Sequence, residues 1–196
     1  MAGLRKRVIA SRLTELVSNA GCHITEAKFS GGYGDLPWTC AITFPDGAER
    51  RYSLYFWTIS HGGRTRSQSE YRIQAKLRTS RALEFIGGTT LLLGYYSADY
   101  DNVGRDEGNA PYDNMEVFVA WDPLQHLRIG ASSSCQVSFD LLQRAFLDGF
   151  AITERRTNED VERVVAIQAQ NISRYLRAAA GGHNSIALKD IACYPS

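Results

Sequence analysis

From Glu70 to Arg78 the chain alternates without a break: Tyr71, Ile73, Ala75 and Leu77 are apolar, while Glu70, Arg72, Gln74, Lys76 and Arg78 are polar or charged. A strand places successive side chains on opposite faces, whereas a helix would scatter this pattern around its axis. The segment is therefore predicted to be a strand with one face in a core and a basic stripe on the other. It also sits in a concentration of charge. Ser60 to Arg81 holds six Arg or Lys and one acid, a charge of +5; the whole chain has a formal net charge of only +1, so the remainder carries about −4.

The rest of the chain supplies partners for such a strand. Leu4, Val8, Ile9, Leu13, Leu16 and Val17 recur at helical spacing with Lys and Arg opposite, and Gly21 is a stop signal; a helix is predicted from about 3 to 20. HITEAKF (23–29), WTCAITF (38–44) and ERRYSLYFWTIS (49–60) read as strands, the last two joined through the hairpin signal Asp46–Gly47. TTLLLGYYS (89–97), MEVFVAW (115–121), CQVSF (135–139) and VERVVAIQ (161–168) continue the series. FDLLQRAFLDG reads as a helix closed by Gly149, and 169–182 as a final helix. Between them, 122–134 is a polar connection, and 98–114 reads as a long solvated loop, with six acids from Asp99 to Glu116 against Arg105 alone.

Strands joined by hairpins, without a βαβ rhythm, predict an α+β fold: a mainly antiparallel open β-barrel, or pseudobarrel, of about seven strands with two or three flanking helices. One domain is expected over 1–196, divided into an N-terminal helix (1–21), a barrel core (22–150) and a C-terminal strand and helix (151–196). A content of 44% hydrophobic and 22% charged residues suits a chain with a real core. No apolar run approaches the roughly 18 to 20 residues that span a bilayer, and Ser11, Arg12, Thr14 and Glu15 interrupt any signal-peptide core, so a cytoplasmic location and no membrane partner are expected. Cys22, Cys40, Cys135 and Cys193 are far apart and lack CxxC pairing, which predicts reduced, mostly buried thiols.

Signatures of catalysis are missing. The glycine runs GGYGD and GGTT lack the Lys of a phosphate loop, and no GxSxG, HExxH or dinucleotide fingerprint occurs. Nuclease motifs are incomplete: Pro45–Asp46 falls in a turn and leads to Glu49-Arg50-Arg51, and Glu70-Tyr71-Arg72 also lacks a Lys. The four histidines, 23, 61, 126 and 183, are dispersed. No catalytic residue, metal or cofactor is assigned. Trp121–Asp122 reads as structural. His126 reads as a surface histidine, with pairing to Asp122 the alternative.

The charged segment has the chemistry of a DNA reader. Affinity for duplex DNA comes largely from neutralising phosphates, and discrimination from hydrogen bonds to base edges. Arg forks onto guanine, Gln pairs with adenine, Ser serves either, and Glu accepts from cytosine. Arg64, Arg66, Ser67, Gln68, Glu70, Arg72, Gln74 and Lys76 include all of these groups. The competing reading is a solvated strand face beside a Gly-Ser loop. RNA binding would need aromatics on the exposed face, and the stripe has none.

Four pieces in order resemble a module found beside bacterial restriction–modification genes: Gly63, Arg64, Arg66 and Ser67; Glu70 to Gln74; Val117 to Asp122 with His126; and Ser132 to Val137. The resemblance covers roughly 57–150 and is closest to the B-three-like DNA-recognition pseudobarrels of some type II restriction enzymes. It implies two arms reaching into the major groove, one from Arg64 to Gln74 and a second from 126–136 or 31–35. Ser133 and Gln136 are candidates for that second arm, and a strand-edge turn capped by hydroxyls explains them equally. The N-terminal helix and long acidic loop depart from the simplest version of that family.

The sequence thus points to sequence-specific double-stranded DNA binding in a bacterial restriction or phage-defence system, with cleavage carried by a partner chain or a separate domain and a nuclease or methyltransferase as the expected protein partner. Its alternatives are a divergent metal-dependent endonuclease using Asp46, Glu49 or Glu70, and a protein-interaction module using the acidic loop. Methylation sensitivity is left open: Tyr33, Trp38, Tyr95 and Tyr96 could line a pocket for a flipped base, and core packing explains them at least as well.

Overall fold

The computed structural model describes residues 6–30, 36–61, 69–76, 88–101, 114–127, 132–156, 161–186 and 191. Helix α1 (Lys6–Asn19) opens the chain and buries Ile9, Leu13, Leu16 and Val17 of the predicted stripe, whereas Val8 is exposed and Leu4 lies outside the described residues. Three antiparallel strands follow, β1 (His23–Phe29), β2 (Trp38–Thr43) and β3 (Glu49–Thr58). The β2–β3 turn carries Gly47 at φ 81, a left-handed conformation that glycine adopts without steric cost. Two short pieces belong to a separate sheet, β4 (Ser60–His61) and β5 (Glu70–Lys76). Then come β6 (Thr89–Ser97), the one-turn helix α2 (Ala98–Asp101), β7 (Glu116–Trp121), the one-turn helix α3 (Pro123–His126) and β8 (Ser132–Ser138). Helix α4 (Phe139–Asp148), β9 (Phe150–Arg156), β10 (Val161–Gln168), a 3₁₀ turn at Ala169–Asn171 and α5 (Ile172–Ala178) complete the main elements.

The strands form a seven-stranded sheet in the order β1-β2-β3-β6-β7-β10-β9 and a three-stranded sheet, β4-β5-β8. This corrects the expected antiparallel barrel. Among the described residues the larger sheet is open, with β1 and β9 at its edges, and it is mixed because β3 and β6 run parallel. The physical reason lies in burial. Leu91 to Ser97 of β6 are all buried, as are Tyr52 to Phe56 of β3 and Val117 to Trp121 of β7. Strands covered on both faces need not alternate, and parallel pairing is found in such interiors.

Helices α1 and α5 pack against each other over one face; α4 and the smaller sheet cover the other. Adjacent tyrosines mark the two sides. Tyr95 meets the ring of Phe118 and donates to Glu116, which also holds Arg12 of α1, whereas Tyr96 meets Tyr71 of β5 and Phe139 of α4. Gly149 ends helix α4 at φ 86 as its sequence foretold, and Ser138, read there as part of a strand, caps its start, Oγ accepting from Leu141 N. Cys22, Cys40 and Cys135 are buried free thiols, and burial raises each of them, Cys40 and Cys135 to about 12. No helix among the described residues is long and apolar enough to cross a membrane.

Candidate nucleic-acid interface

From Glu70 to Lys76 the predicted alternation is what the structure contains; Leu77 and Arg78 lie outside the described residues. Tyr71, Ile73 and Ala75 are buried, Glu70 and Arg72 are half-buried, and Gln74 and Lys76 are exposed. The neighbour of β5 is β8, which carries the Ser-rich segment proposed for the second arm. The register pairs Glu70 with Ser138, Arg72 with Gln136, Gln74 with Ser134 and Lys76 with Ser132. Since side chains directly opposite share a face, these eight form one polar surface. The other face, with Tyr71, Ile73, Cys135 and Val137, enters the core. The two candidate arms are thus neighbouring strands of one ribbon.

Not every candidate lies on that surface. Ser133, opposite Ala75, faces inward and forms a 2.8 Å hydrogen bond with His126 Nδ1. Arg64, Arg66, Ser67 and Gln68 lie outside the described residues, as do 31–35 and Tyr33. Trp38, Tyr95 and Tyr96 are 4%, 2% and 4% exposed. They are core side chains, so they do not line a base pocket.

Behind the ribbon is a buried polar brace that no local pattern in the sequence announced. Glu162 of β10 is 0% exposed and binds His126 Nε2 through Oε1 at 2.5 Å and Arg155 Nε through Oε2 at 2.5 Å. Burial alone would raise the Glu162 carboxyl, but the hydrogen bonds from His126 and Arg155 outweigh it and hold the group below its ordinary value. With Nε2–H given to the carboxylate, His126 Nδ1 accepts from the Ser133 hydroxyl. His126 is therefore neither a surface histidine nor a partner of Asp122. That aspartate caps α3 by accepting from Leu124 N at 2.9 Å, and it also accepts from Asn184 at 2.8 Å. Ser133, His126 and Glu162 have the residue types of a hydrolytic triad, yet Arg155 already neutralises the acid that such a triad reserves for imidazolium. Their arrangement suits a brace.

Besides the Ser133 hydroxyl, the brace reaches the ribbon at a backbone atom. The backbone carbonyl of Gln136, on the free edge of β8, accepts from Trp121 Nε1 at 3.2 Å and from Arg155 Nη1 at 3.4 Å. Unpaired strand edges invite further pairing; here side chains from β7 and β9 occupy part of that edge and tie it to the larger sheet. Trp121, fully buried, is structural as its sequence context implied.

The acids of the nuclease alternative are not gathered. Asp46 is ion-paired with Arg177 beside a cleft of about 910 Å³ between the end of α1 and α5, Glu49 begins β3, and Glu70 is in the other sheet. Among the described residues no group of three His, Cys, Asp or Glu side chains is placed to hold a metal ion.

No curated protein and no solved structure matches the chain. Residues 50–176 match a family described as methylase-associated X1, a span from β3 through most of α5 that includes the whole ribbon and its brace. On that match over more than half its length, the chain belongs to the methylase-associated X1 family.

Proposed function

We propose that this protein is the duplex-DNA recognition module of a restriction–modification system and reads sequence through the outer face of the β5–β8 ribbon. One observation carries the reading: Glu70, Arg72, Gln74 and Lys76 stand in register with Ser138, Gln136, Ser134 and Ser132 on a single surface. The major groove of B-DNA admits a two-stranded β-ribbon, and its base edges present the donors and acceptors that Arg, Gln, Glu and Ser complement. A surface built only for electrostatic attraction has no use for Glu70 or the amides. The described part of that face holds no aromatic side chain, which favours duplex DNA over stacked single-stranded RNA. Membership of a methylase-associated family supports the setting, with the chemical step on a partner methyltransferase or nuclease. Arg64, Arg66, Ser67 and Gln68 extend the same basic segment and belong to the proposed contact set.

The test is selection from a pool of random duplexes, methylated and unmethylated, with binding followed against salt and without divalent metal. Enrichment of a short motif, together with affinity that falls steeply as salt rises, is the expected result. Absence of binding even at low salt would remove the reading. Different enrichment from the two pools would make the module methylation-sensitive.

A further inference from the structure

The outer face of the β5–β8 ribbon is not uniform along its length. At one end Ser138 Oγ accepts from the backbone of α4, and Glu70 is engaged by another group. In the middle stand Arg72 and Gln136, directly opposite one another. Among the described residues neither the Arg72 guanidinium nor the Gln136 side-chain amide has a hydrogen-bond or ion-pair partner. Arg72 is half-buried and Gln136 exposed. A guanidinium has five N–H donors, and one partly withdrawn from water gains more from an acceptor than one fully exposed. The Gln136 backbone is pinned by Trp121 and Arg155 through its carbonyl, which limits where its amide can reach.

What this pair can read follows from chemistry and spacing. In the major groove guanine presents the acceptors O6 and N7, which a guanidinium forks onto, and adenine presents N7 and the N6 amino group, which a carboxamide matches with one donor and one acceptor. Opposite residues of an antiparallel pair have Cβ atoms about 5 Å apart, and successive bases of a strand are about 3.4 Å apart along the axis. Two such side chains therefore reach neighbouring base pairs. A phosphate is the other possible target for Arg72, but phosphates line the rims of the groove, whereas the middle of an inserted ribbon faces its floor. We infer that the recognised site contains a G·C pair and an A·T pair side by side, the guanine read by Arg72 and the adenine by Gln136. The inference rests on the duplex-DNA reading above and adds to it the composition of the site's centre.

The experiment compares motifs selected from random duplexes by the wild-type chain, Arg72→Lys and Gln136→Ala, with thermal melts to show that each variant is folded. Lysine keeps the charge but cannot fork. Alanine removes the amide and leaves the carbonyl that anchors the ribbon. Arg72→Lys is expected to lose discrimination at one G·C position and Gln136→Ala at the A·T position next to it, each by about 5- to 150-fold for loss of a bidentate contact, while other positions keep theirs. Relaxation at positions that are not neighbours, relaxation at the wrong base pair, unchanged selection, or a loss uniform across all sequences would overturn it. Should Arg72→Lys melt early, Gln136→Ala alone must still relax one A·T position beside a G·C pair, and its failure to do so counts equally against the inference. If the wild-type chain selects no motif, the duplex-DNA reading itself has failed and this inference falls with it, a result distinct from a motif that the variants leave intact.

Discussion

Arg72 and Gln136 face one another across the antiparallel β5–β8 pair, and the backbone carbonyl of Gln136 is at the same time held by Trp121 and Arg155 from the larger sheet. The side chain of one residue thus belongs to the ribbon's outer surface while its backbone anchors the ribbon from behind. A reader of DNA needs this combination, because base discrimination depends on donors held in fixed positions.

The surface should divide into contacts of two kinds. Arg72, in the middle of the described ribbon, is expected to contact a base edge, and the exposed Lys76 at its end a phosphate. Arg72→Ala should cost about 1–3 kcal/mol and relax one position of the site. Lys76→Ala should weaken all sequences alike and flatten the salt dependence by about one unit. Binding isotherms against salt on the selected motif and on a scrambled duplex separate the two.

Gly94 occupies the buried crossing of β6 with the smaller sheet's connection. A Cβ there would meet Ile59 Cγ1 at 2.6 Å, Ile59 Cδ1 at 2.8 Å and Trp121 Cζ3 at 2.8 Å. Interiors are close-packed and give way only at the expense of strain. Gly94→Ala should therefore lose about 1–3 kcal/mol, measured by urea unfolding. Because it presses on the Trp121 ring that holds Gln136, DNA affinity should fall as well.

Much of the ribbon was legible in advance because period-two alternation is a local property. The segment from Glu70 to Lys76 states its two faces residue by residue, and Gly149 states the end of α4. What escaped was either short or non-local. Helix α3 has a signal, an Asp cap followed by Pro at the first position, but its single turn is too short to show a helical repeat. Strand β9 was missed because its second half, Thr153 to Arg156, is polar on both faces, as an edge strand with one neighbour can be. The parallel pairing of β3 and β6 joins segments separated by the whole charged region, and no pattern within either strand specifies its partner's direction. The meeting of Arg155, Glu162 and His126 was invisible for the same reason. His126 and Glu162 are 36 positions apart and meet only once β10 has paired with β7.

Glu162 should prove the most sensitive position of the brace. Removing it by Glu162→Ala leaves Arg155 and His126 facing an empty buried site, and losses of about 3–5 kcal/mol accompany such broken pairs. Glu162→Gln keeps the shape and allows a finer test. Because the folded-state carboxyl is held below its ordinary value of 4.5, it contributes stability that is present above about pH 4.5 and is lost as pH falls through the lowered value. Urea midpoints measured from pH 7 to pH 3 should fall more steeply for the wild type than for Glu162→Gln. Parallel curves would mean that the brace contributes no charge-dependent stability.

His183 gives a second, independent pH dependence. It is 3% exposed; its Nε2 donates to the Arg163 carbonyl at 2.8 Å and its Nδ1 accepts from Tyr175 OH at 2.8 Å, so the neutral ring meets both partners. Burial lowers its pKa, only partly offset by the backbone hydrogen bond to Arg163 and by the acids Asp122 and Glu162. An unfolded histidine takes up its proton near the ordinary value of 6.5, before the folded one does. In that window the unfolded state binds more protons, and stability falls as pH drops below about 6.5. His183→Gln offers a donor and an acceptor without a titrating ring. The difference in unfolding free energy between wild type and variant should therefore shrink as pH is lowered from 7.5 to 5.5. A difference that stays constant over that range would mean that His183 stays neutral in both states or charges equally in both.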